Sequence, residues 1–404
     1  MSEPLVVVGN GMASMRLVEE LARRALGRYA IAVVGEEPRL AYNRVLLSSV
    51  LAQEISRTEI ELKSARWWRD HGVTLLYGHR AIAVDPSIRR VKLAGGATLP
   101  FATLVLATGS RPIRLNVPGM DLPGVLTFRD LGDVGAIEAA AASCSRAVVI
   151  GGGLLGLEAA YGLAKSGIEV SVVHLMDRLM ERQLDGCAAE MLRRTVEAKG
   201  IAVHLGAETV KIAGRQRVEA VVLADGREIE TDLVVIAAGT RPNTDLARTA
   251  DLDIDRGIVV DDHLRTSMPG IYAIGECVEH RRVCYGLVEP AYEQASVLAA
   301  HLAGNDVRYR GSVLATNLKV SGVNVFSAGD FLGAPGTEAI VFSDGGLATY
   351  KKLVIADGRL MGAVLFGDTA DGGWYLDLIR SGQSIERLRD DLMFGRAMAE
   401  RKAA

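Results

Sequence analysis

The chain mixes continuous apolar runs with helical spacings, and one such combination occurs twice. Leu5-Val6-Val7-Val8 leads into Gly9-Asn10-Gly11-Met12-Ala13-Ser14, and Val148-Val149-Ile150 leads into Gly151-Gly152-Gly153-Leu154-Leu155-Gly156-Leu157-Glu158. An apolar run without alternation suits a strand buried on both faces of a parallel sheet. A helical pattern opens directly after each glycine cluster, over about 13–26 in the first copy, and a second strand follows at 31–34 and 169–174. Further on, Leu104-Val105-Leu106-Ala107-Thr108-Gly109-Ser110-Arg111-Pro112 is echoed by Leu233-Val234-Val235-Ile236-Ala237-Ala238-Gly239-Thr240-Arg241-Pro242. Two motifs shared in the same order mark an internal duplication.

The remaining pattern fills in around these halves. Trp67-Trp68 lies in a helical stretch, 59–71, and reads as packing rather than a stacking platform. Residues 93–99 read as a hairpin around Gly95-Gly96, and 136–142 as an alanine-rich helix in the passage to the second half. A strand at 270–273 ends in Gly275-Glu276, and Glu289-Pro290-Ala291 opens a helix to about 301, with Pro290 at the first helical position. Beyond 308 come a hairpin (351–355, 360–365), two short helices near 374–381 and 385–392, and a charged tail, 396–404, expected to fray. The expected domains are 1–112 with 243–307, then 113–242, then 308–404.

Composition narrows the function classes. The 404 residues are 49% hydrophobic with 44 glycines, which fits a globular chain of two or three domains. A net charge of −3, from 46 basic and 49 acidic residues, argues against a nucleic-acid partner. No apolar run approaches the ~18 residues of a membrane span, and with Met1-Ser2-Glu3-Pro4 running straight into the first strand no signal peptide is expected. Cys144, Cys187, Cys277 and Cys284 are sparse and scattered, as in a reduced, cytoplasmic protein, and no metal site is expected.

The glycine turns carry the candidate chemistry. Gly151, Gly153 and Gly156 fit G-x-G-x-x-G: the first permits the turn, the second lets backbone approach a pyrophosphate, the third lets helix and strand touch. Unpaired N–H groups at Leu154 and Leu155, or at Met12 and Ala13 after Gly9 and Gly11, then face the phosphates. Ser14 replaces the third glycine of the first copy. Glu36, at the end of the second strand, is the candidate ribose ligand, and Arg44 a candidate phosphate partner. In the second half His174 stands where that acid is expected, with Arg178 four residues on.

Together Gly9-x-Gly11, Ala107-Thr108-Gly109, Gly151-x-Gly153-x-x-Gly156 and Ala273-Ile274-Gly275-Glu276 resemble the two-dinucleotide pyridine-nucleotide oxidoreductases. The likeness is strongest to the flavoprotein part of the assimilatory NAD(P)H nitrite reductase large subunit, and extends to rubredoxin reductases. It is carried also by Met180-Glu181-Arg182-Gln183-Leu184-Asp185, Lys351-Lys352-Leu353-Val354, Gly367-Asp368-Thr369 and Trp374-Tyr375-Leu376-Asp377-Leu378-Ile379. It implies an α/β chain of the glutathione-reductase type, with two Rossmann-like domains for FAD and NAD(P) and a small α+β C-terminal interface domain. It implies FAD at Gly9, Gly11, Met12, Ala13, Glu36, Arg44, Thr108, Gly109, Gly275, Glu276, Glu289 and Pro290. NADH or NADPH would lie at Gly151, Gly153, Leu154, Leu155, Gly156, His174, Arg178 and Gly239, with Glu158 beside the nicotinamide as the catalytic candidate. The superfamily usually has Asp at position 276.

What is missing points to the electron route. The region 42–53 has no Cys and no Cys-x-x-Cys pair occurs, so a dithiol relay is not expected. Ser48-Ser49 stands where ferredoxin reductases of this shape often have Ser-Lys. Four scattered thiols cannot form the clustered ligand set of an iron–sulfur centre, so the expectation is hydride transfer from NAD(P)H to FAD and electron delivery to a separate acceptor. A nitrite or nitrate reductase component is the expected partner. The alternatives are a rubredoxin or ferredoxin partner, or a redox sensor that responds to NADH without turnover.

Overall fold

A computed structural model describes all residues except Met1, Leu26, Ser321 and Ala404. The chain folds as two units. One comprises Met1–Val50, Ile55–Ile113 and Thr240–Ser312; the other comprises Leu51–Glu54, Arg114–Gly239 and Val313–Ala404.

In the first unit the run Glu3–Val8 forms the middle strand of a five-stranded parallel sheet. Tyr29–Gly35 and then Thr74–Tyr77 pair on one side of it; Thr103–Leu106 and then Ile271–Ala273 pair on the other. Leu5, Val7, Leu104, Val105 and Leu106 are fully buried, as strands covered on both faces require. Each such side chain contributes roughly 1.5–3 kcal/mol of transfer free energy. The helices Met12–Arg24 and Val288–Leu302 pack against each other.

The second unit repeats this plan. Arg146–Ile150 is the middle strand, flanked by Glu169–Val173 and Ala202–His204 on one side and by Leu233–Ile236 and Val125–Thr127 on the other. Both units also insert a three-stranded antiparallel sheet before the strand that ends in the later glycine turn. The strands are Ala81–Asp85, Arg90–Leu93 and Thr98–Pro100 in one, Thr209–Ala213, Ala220–Leu223 and Glu228–Glu230 in the other. The duplication therefore reaches further than the glycine motifs: it includes this insertion, of which the sequence pattern showed only one hairpin.

The C-terminal stretch of the second unit forms an antiparallel sheet in the order Ala315–Val320, Val323–Gly329, Arg359–Phe366, Thr349–Ala356, Glu338–Asp344. The helix Gly372–Ser381 contributes Tyr375 and Leu378 to a core with Phe326, Leu353 and Leu365.

Several expected elements shift. The first helix begins at Met12 because Gly11 is already its N-cap, and the end expected at Leu26 lies outside the described residues. The stretch 59–71 is helical only over Ala65–Asp70, where the Ser64 hydroxyl accepts the Trp67 N–H; Trp68 is buried in the first unit's core. The helix expected to open at Pro290 begins at Val288, which puts Pro290 third. Proline is still tolerated there, since none of the first-turn N–H groups has an intrahelical partner. The second short C-terminal helix is a 3₁₀ turn, Arg389–Phe394, and the tail expected to fray is helical over Arg396–Ala403, so far as described. No helix among the described residues is long and apolar enough to cross a membrane.

Candidate functional site

The first glycine turn is built around contacts that only glycine allows. Gly9 has φ +117°, and a Cβ there would lie 2.0 Å from the Ala107 carbonyl oxygen. Gly11 has the opposite property, with nothing within 4 Å of the place its Cβ would occupy. The helix that follows has no side-chain cap and no acidic residue in its first turn. The Met12 and Ala13 N–H groups thus border an open space with a helix dipole behind them. Asn10 Oδ1 is shielded from solvent and has no hydrogen-bond partner among the described residues. Gly35 packs so closely that its Cβ would fall 2.5 Å from Asn10 Cβ. That contact brings the backbone before Glu36 against the turn.

The other expected residues of this unit converge from three directions. Thr108 Oγ1 donates to the Asn243 carbonyl at 2.6 Å, and the Asn243 N–H donates to the Gly109 carbonyl at 2.9 Å. The short strands Ser110–Pro112 and Thr240–Pro242 pair antiparallel beside them. Gly275, at φ +85°, would place a Cβ 3.2 Å from Ala13. Its N–H is held by Gln294 Oε1 at 2.7 Å, a fully buried amide from the helix that contains Glu289 and Pro290. Ser110 Oγ donates to Glu276 Oε2 at 2.8 Å. So Gly9, Gly11, Met12, Ala13 and Gly275 form one cradle, with Thr108, Gly109 and Glu276 linked to each other through Ser110 and Asn243. Glu36 and Arg44 stand apart in their side-chain pairing. Glu36 is mostly exposed and leans to Arg80 at 3.6 Å, while Arg44 pairs with Glu37, whose other oxygen accepts from Tyr42 at 2.7 Å.

The second turn shows the same division of labour. A Cβ on Gly151 would lie 2.3 Å from the Ala237 carbonyl oxygen and one on Gly156 1.9 Å from the Gly151 carbonyl oxygen, whereas Gly153 has nothing within 4 Å. Leu154 and Leu155 open a helix, Leu154–Lys165, with no side-chain cap. Glu158 lies half-buried on it, and Gly239 closes the later turn at φ +102°. His174 is buried: its Nδ1 accepts the Gly152 N–H at 3.0 Å and its Nε2 faces Glu181 Oε2 at 3.1 Å. Arg178 is turned to its neighbour Asp177 at 3.3 Å. Glu181, Asn10, Ser110, Asn243 and Gln294 were not singled out from the sequence. Repeated Arg-Pro after both later glycines was the signal available for Asn243.

Both turns fit a dinucleotide pyrophosphate: each couples an uncapped helix start with free space at its second glycine. Thiol chemistry has less support. All four cysteines are free, and burial pushes each thiol up, Cys277 being fully buried, which disfavours the reactive thiolate. Among the described residues no group of three or more His, Cys, Asp or Glu side chains could hold a metal ion.

Comparison with known proteins agrees with this geometry. Residues 3–297 match the family model "Pyridine nucleotide-disulphide oxidoreductase" and 315–383 that of the "Rubredoxin NAD+ reductase C-terminal domain". The chain is 45% identical over 382 residues to a nitrite reductase [NAD(P)H] of Bacillus subtilis (strain 168), covering 94% of this chain and 48% of that protein. It is 42% identical over 382 residues to an assimilatory nitrate reductase electron transfer subunit of the same organism, covering 94% and 50%. The chain spans about half the length of these curated relatives. A ferredoxin reductase structure from Rhodopseudomonas palustris superposes with a TM-score of 0.86 at 27% identity, covering 100% of this chain and 98% of that one. With two glycine cradles and this match along most of its length, the chain belongs to the pyridine nucleotide-disulphide oxidoreductase family.

Proposed function

We propose that this protein takes hydride from NADH or NADPH onto FAD and delivers electrons to a separate redox protein, a nitrite or nitrate reductase component. The observation that carries this reading is the pair of uncapped glycine turns, one in each unit, each with room at its second glycine. Bound FAD would accept hydride at N5 and release electrons singly to the acceptor.

The chain's own residues would bind and orient. Met12 and Ala13 N–H groups, with Gly9 and Gly11, would hold the FAD pyrophosphate, and Glu36 the adenosine ribose. Arg44 would move from Glu37 to the phosphates, a shift between two charge-assisted partners. Thr108, Gly109, Gly275 and Glu276 would line the flavin side. The helix carrying Glu289 and Pro290 would turn its positive end to the flavin ring, worth about 0.3–1 kcal/mol and up to ~2 when partly buried. Gly151, Gly153, Leu154, Leu155, Gly156 and Gly239 would hold the nicotinamide dinucleotide, with Glu158 positioning the nicotinamide. In this reading the FAD domain is 1–112 with 243–307, the nicotinamide domain 113–242, and 308–404 the C-terminal α+β interface domain of a cytoplasmic enzyme.

Names of relatives support this choice of acceptor: a nitrite reductase and a nitrate reductase electron transfer subunit. A second reading, a rubredoxin or ferredoxin acceptor, draws on the rubredoxin-reductase match at 315–383 and on the ferredoxin reductase superposition. Purified, FAD-loaded protein fed with NADH is the test. Fast reduction of a nitrite or nitrate reductase component, with slow reduction of rubredoxin and ferredoxin, is expected. The reverse order would overturn the acceptor assignment, and no turnover on any one-electron acceptor would favour a sensor instead.

A further inference from the structure

The strand end at position 174 carries a histidine where a dinucleotide site of this kind ordinarily carries a carboxylate. The imidazole of His174 is packed against the glycine turn: a Cβ on Gly152 would fall 2.7 Å from it. Its Nδ1 accepts the Gly152 N–H at 3.0 Å, and an accepting Nδ1 leaves the neutral ring's proton on Nε2. That Nε2–H points to Glu181 Oε2 at 3.1 Å. The chain reaches this contact because Met180 sits at φ +50°, which reverses its direction, and because the Met180 N–H donates to the Gly152 carbonyl at 3.0 Å. Gly152, His174, Met180 and Glu181 therefore form one closed cluster on the turn. Glu181 is oriented by it, with its side chain 23% exposed and Oε1 without a hydrogen-bond partner among the described residues.

We propose that Glu181, held in place by His174, supplies the carboxylate missing from position 174 and selects NADH over NADPH. The proposal rests on the reading of Gly151–Gly156 as the nicotinamide dinucleotide turn. Oε1 would accept from the ribose hydroxyls, and the charge would repel a 2′-phosphate. Arg178, four residues beyond His174, is turned to Asp177 at 3.3 Å, which offsets its charge. His174 is a positioning residue here and does not touch the dinucleotide.

The test is calorimetric binding of ADP-ribose and 2′-phospho-ADP-ribose to the FAD-loaded protein. Wild type is expected to favour ADP-ribose. Glu181→Gln, which keeps an oxygen for the His174 donor, is expected to cut that preference at least roughly tenfold, since a lost charge interaction lies between its weak bulk-water and stronger near-surface values. His174→Asn is expected to cut it less, through looser orientation of Glu181. Flavin content and melting temperature, unchanged in both variants, establish that they are folded. A preference unaltered in Glu181→Gln and in a second variant, Glu181→Ala, would overturn the proposal with the dinucleotide reading intact. Failure of wild type to bind either compound would overturn both.

Discussion

Tyr350 donates its hydroxyl proton to Asp185 Oδ2 at 2.7 Å, with both side chains buried. The same carboxylate caps the helix Gly186–Glu197 by accepting the Ala188 N–H at 3.1 Å, and Lys352 Nζ lies 3.7 Å away. One Asp thus joins the helix after the Met180–Asp185 segment to the antiparallel C-terminal sheet, within one unit. Tyr350→Phe is expected to lower the unfolding free energy by ~1.5–3 kcal/mol, the range for hydrogen bonds to a charged group. Asp185→Ala should cost more, since it also removes a cap worth about 0.5–2 kcal/mol. Urea titration of the FAD-loaded protein reads both, and equal costs would contradict the shared role.

Burial, then the Asp185 carboxylate, push the Tyr350 phenol up. A folded-state value above the unfolded one gives stability that is full below about pH 10 and is lost as pH rises past it. At the acid end, Arg281 first and then His280 hold Asp262 down to about 2. That contribution is present above the ordinary Asp value near ~4 and fades as pH falls to about 2. Asp262 is accessible to solvent screening, so the effect is small. Melting curves across pH should show Asp262→Asn with less loss of stability between pH ~4 and ~2 than wild type; parallel curves would contradict the assignment.

The glycines of one turn should respond differently to alanine. Gly9→Ala places a methyl 2.0 Å from the Ala107 carbonyl oxygen at a φ of +117°, and should destabilise the apoprotein. Gly11→Ala meets nothing in the protein and replaces one N-cap without a side-chain bond by another, so the apoprotein should melt within about 1 kcal/mol of wild type. It should nevertheless lose FAD, because the methyl fills the space the pyrophosphate needs. Apoprotein melting paired with flavin absorbance separates the two; normal FAD content in Gly11→Ala would contradict the cradle.

Glu158→Gln should slow flavin reduction by NADH on the order of 10²-fold, the scale of a misplaced reactant. NADH affinity should change little, since the glycine turn holds the rest of the dinucleotide. Stopped-flow reduction rates against NADH concentration give both quantities. A changed affinity with an unchanged limiting rate would remove Glu158 from the nicotinamide.

The two sheets and the glycine turns were legible because their requirements are local. A strand buried on both faces must be apolar throughout, and a turn position whose Cβ would lie 2.0 Å from a carbonyl oxygen must be glycine. The C-terminal sheet was harder: only the Thr349–Ala356 and Arg359–Phe366 hairpin was read from its turn, and the Asp344-Gly345-Gly346 turn before it was missed. The strand Glu338–Asp344 lies at an edge with Val341 and Phe342 exposed, so its pattern does not alternate cleanly. The His174–Glu181 contact was not legible at all. It depends on the left-handed Met180, a conformation its side chain does not advertise. Gln294 was missed likewise, as a helix amide whose partner, Gly275, is distant in sequence.

Anaerobic titration of the FAD-loaded protein with NADH, followed in the flavin absorption band, tests the central claim most directly. The account predicts stoichiometric bleaching within the turnover time, restored on adding a one-electron protein acceptor. A flavin that NADH and NADPH bleach only slowly, with no acceptor reduced, would contradict it.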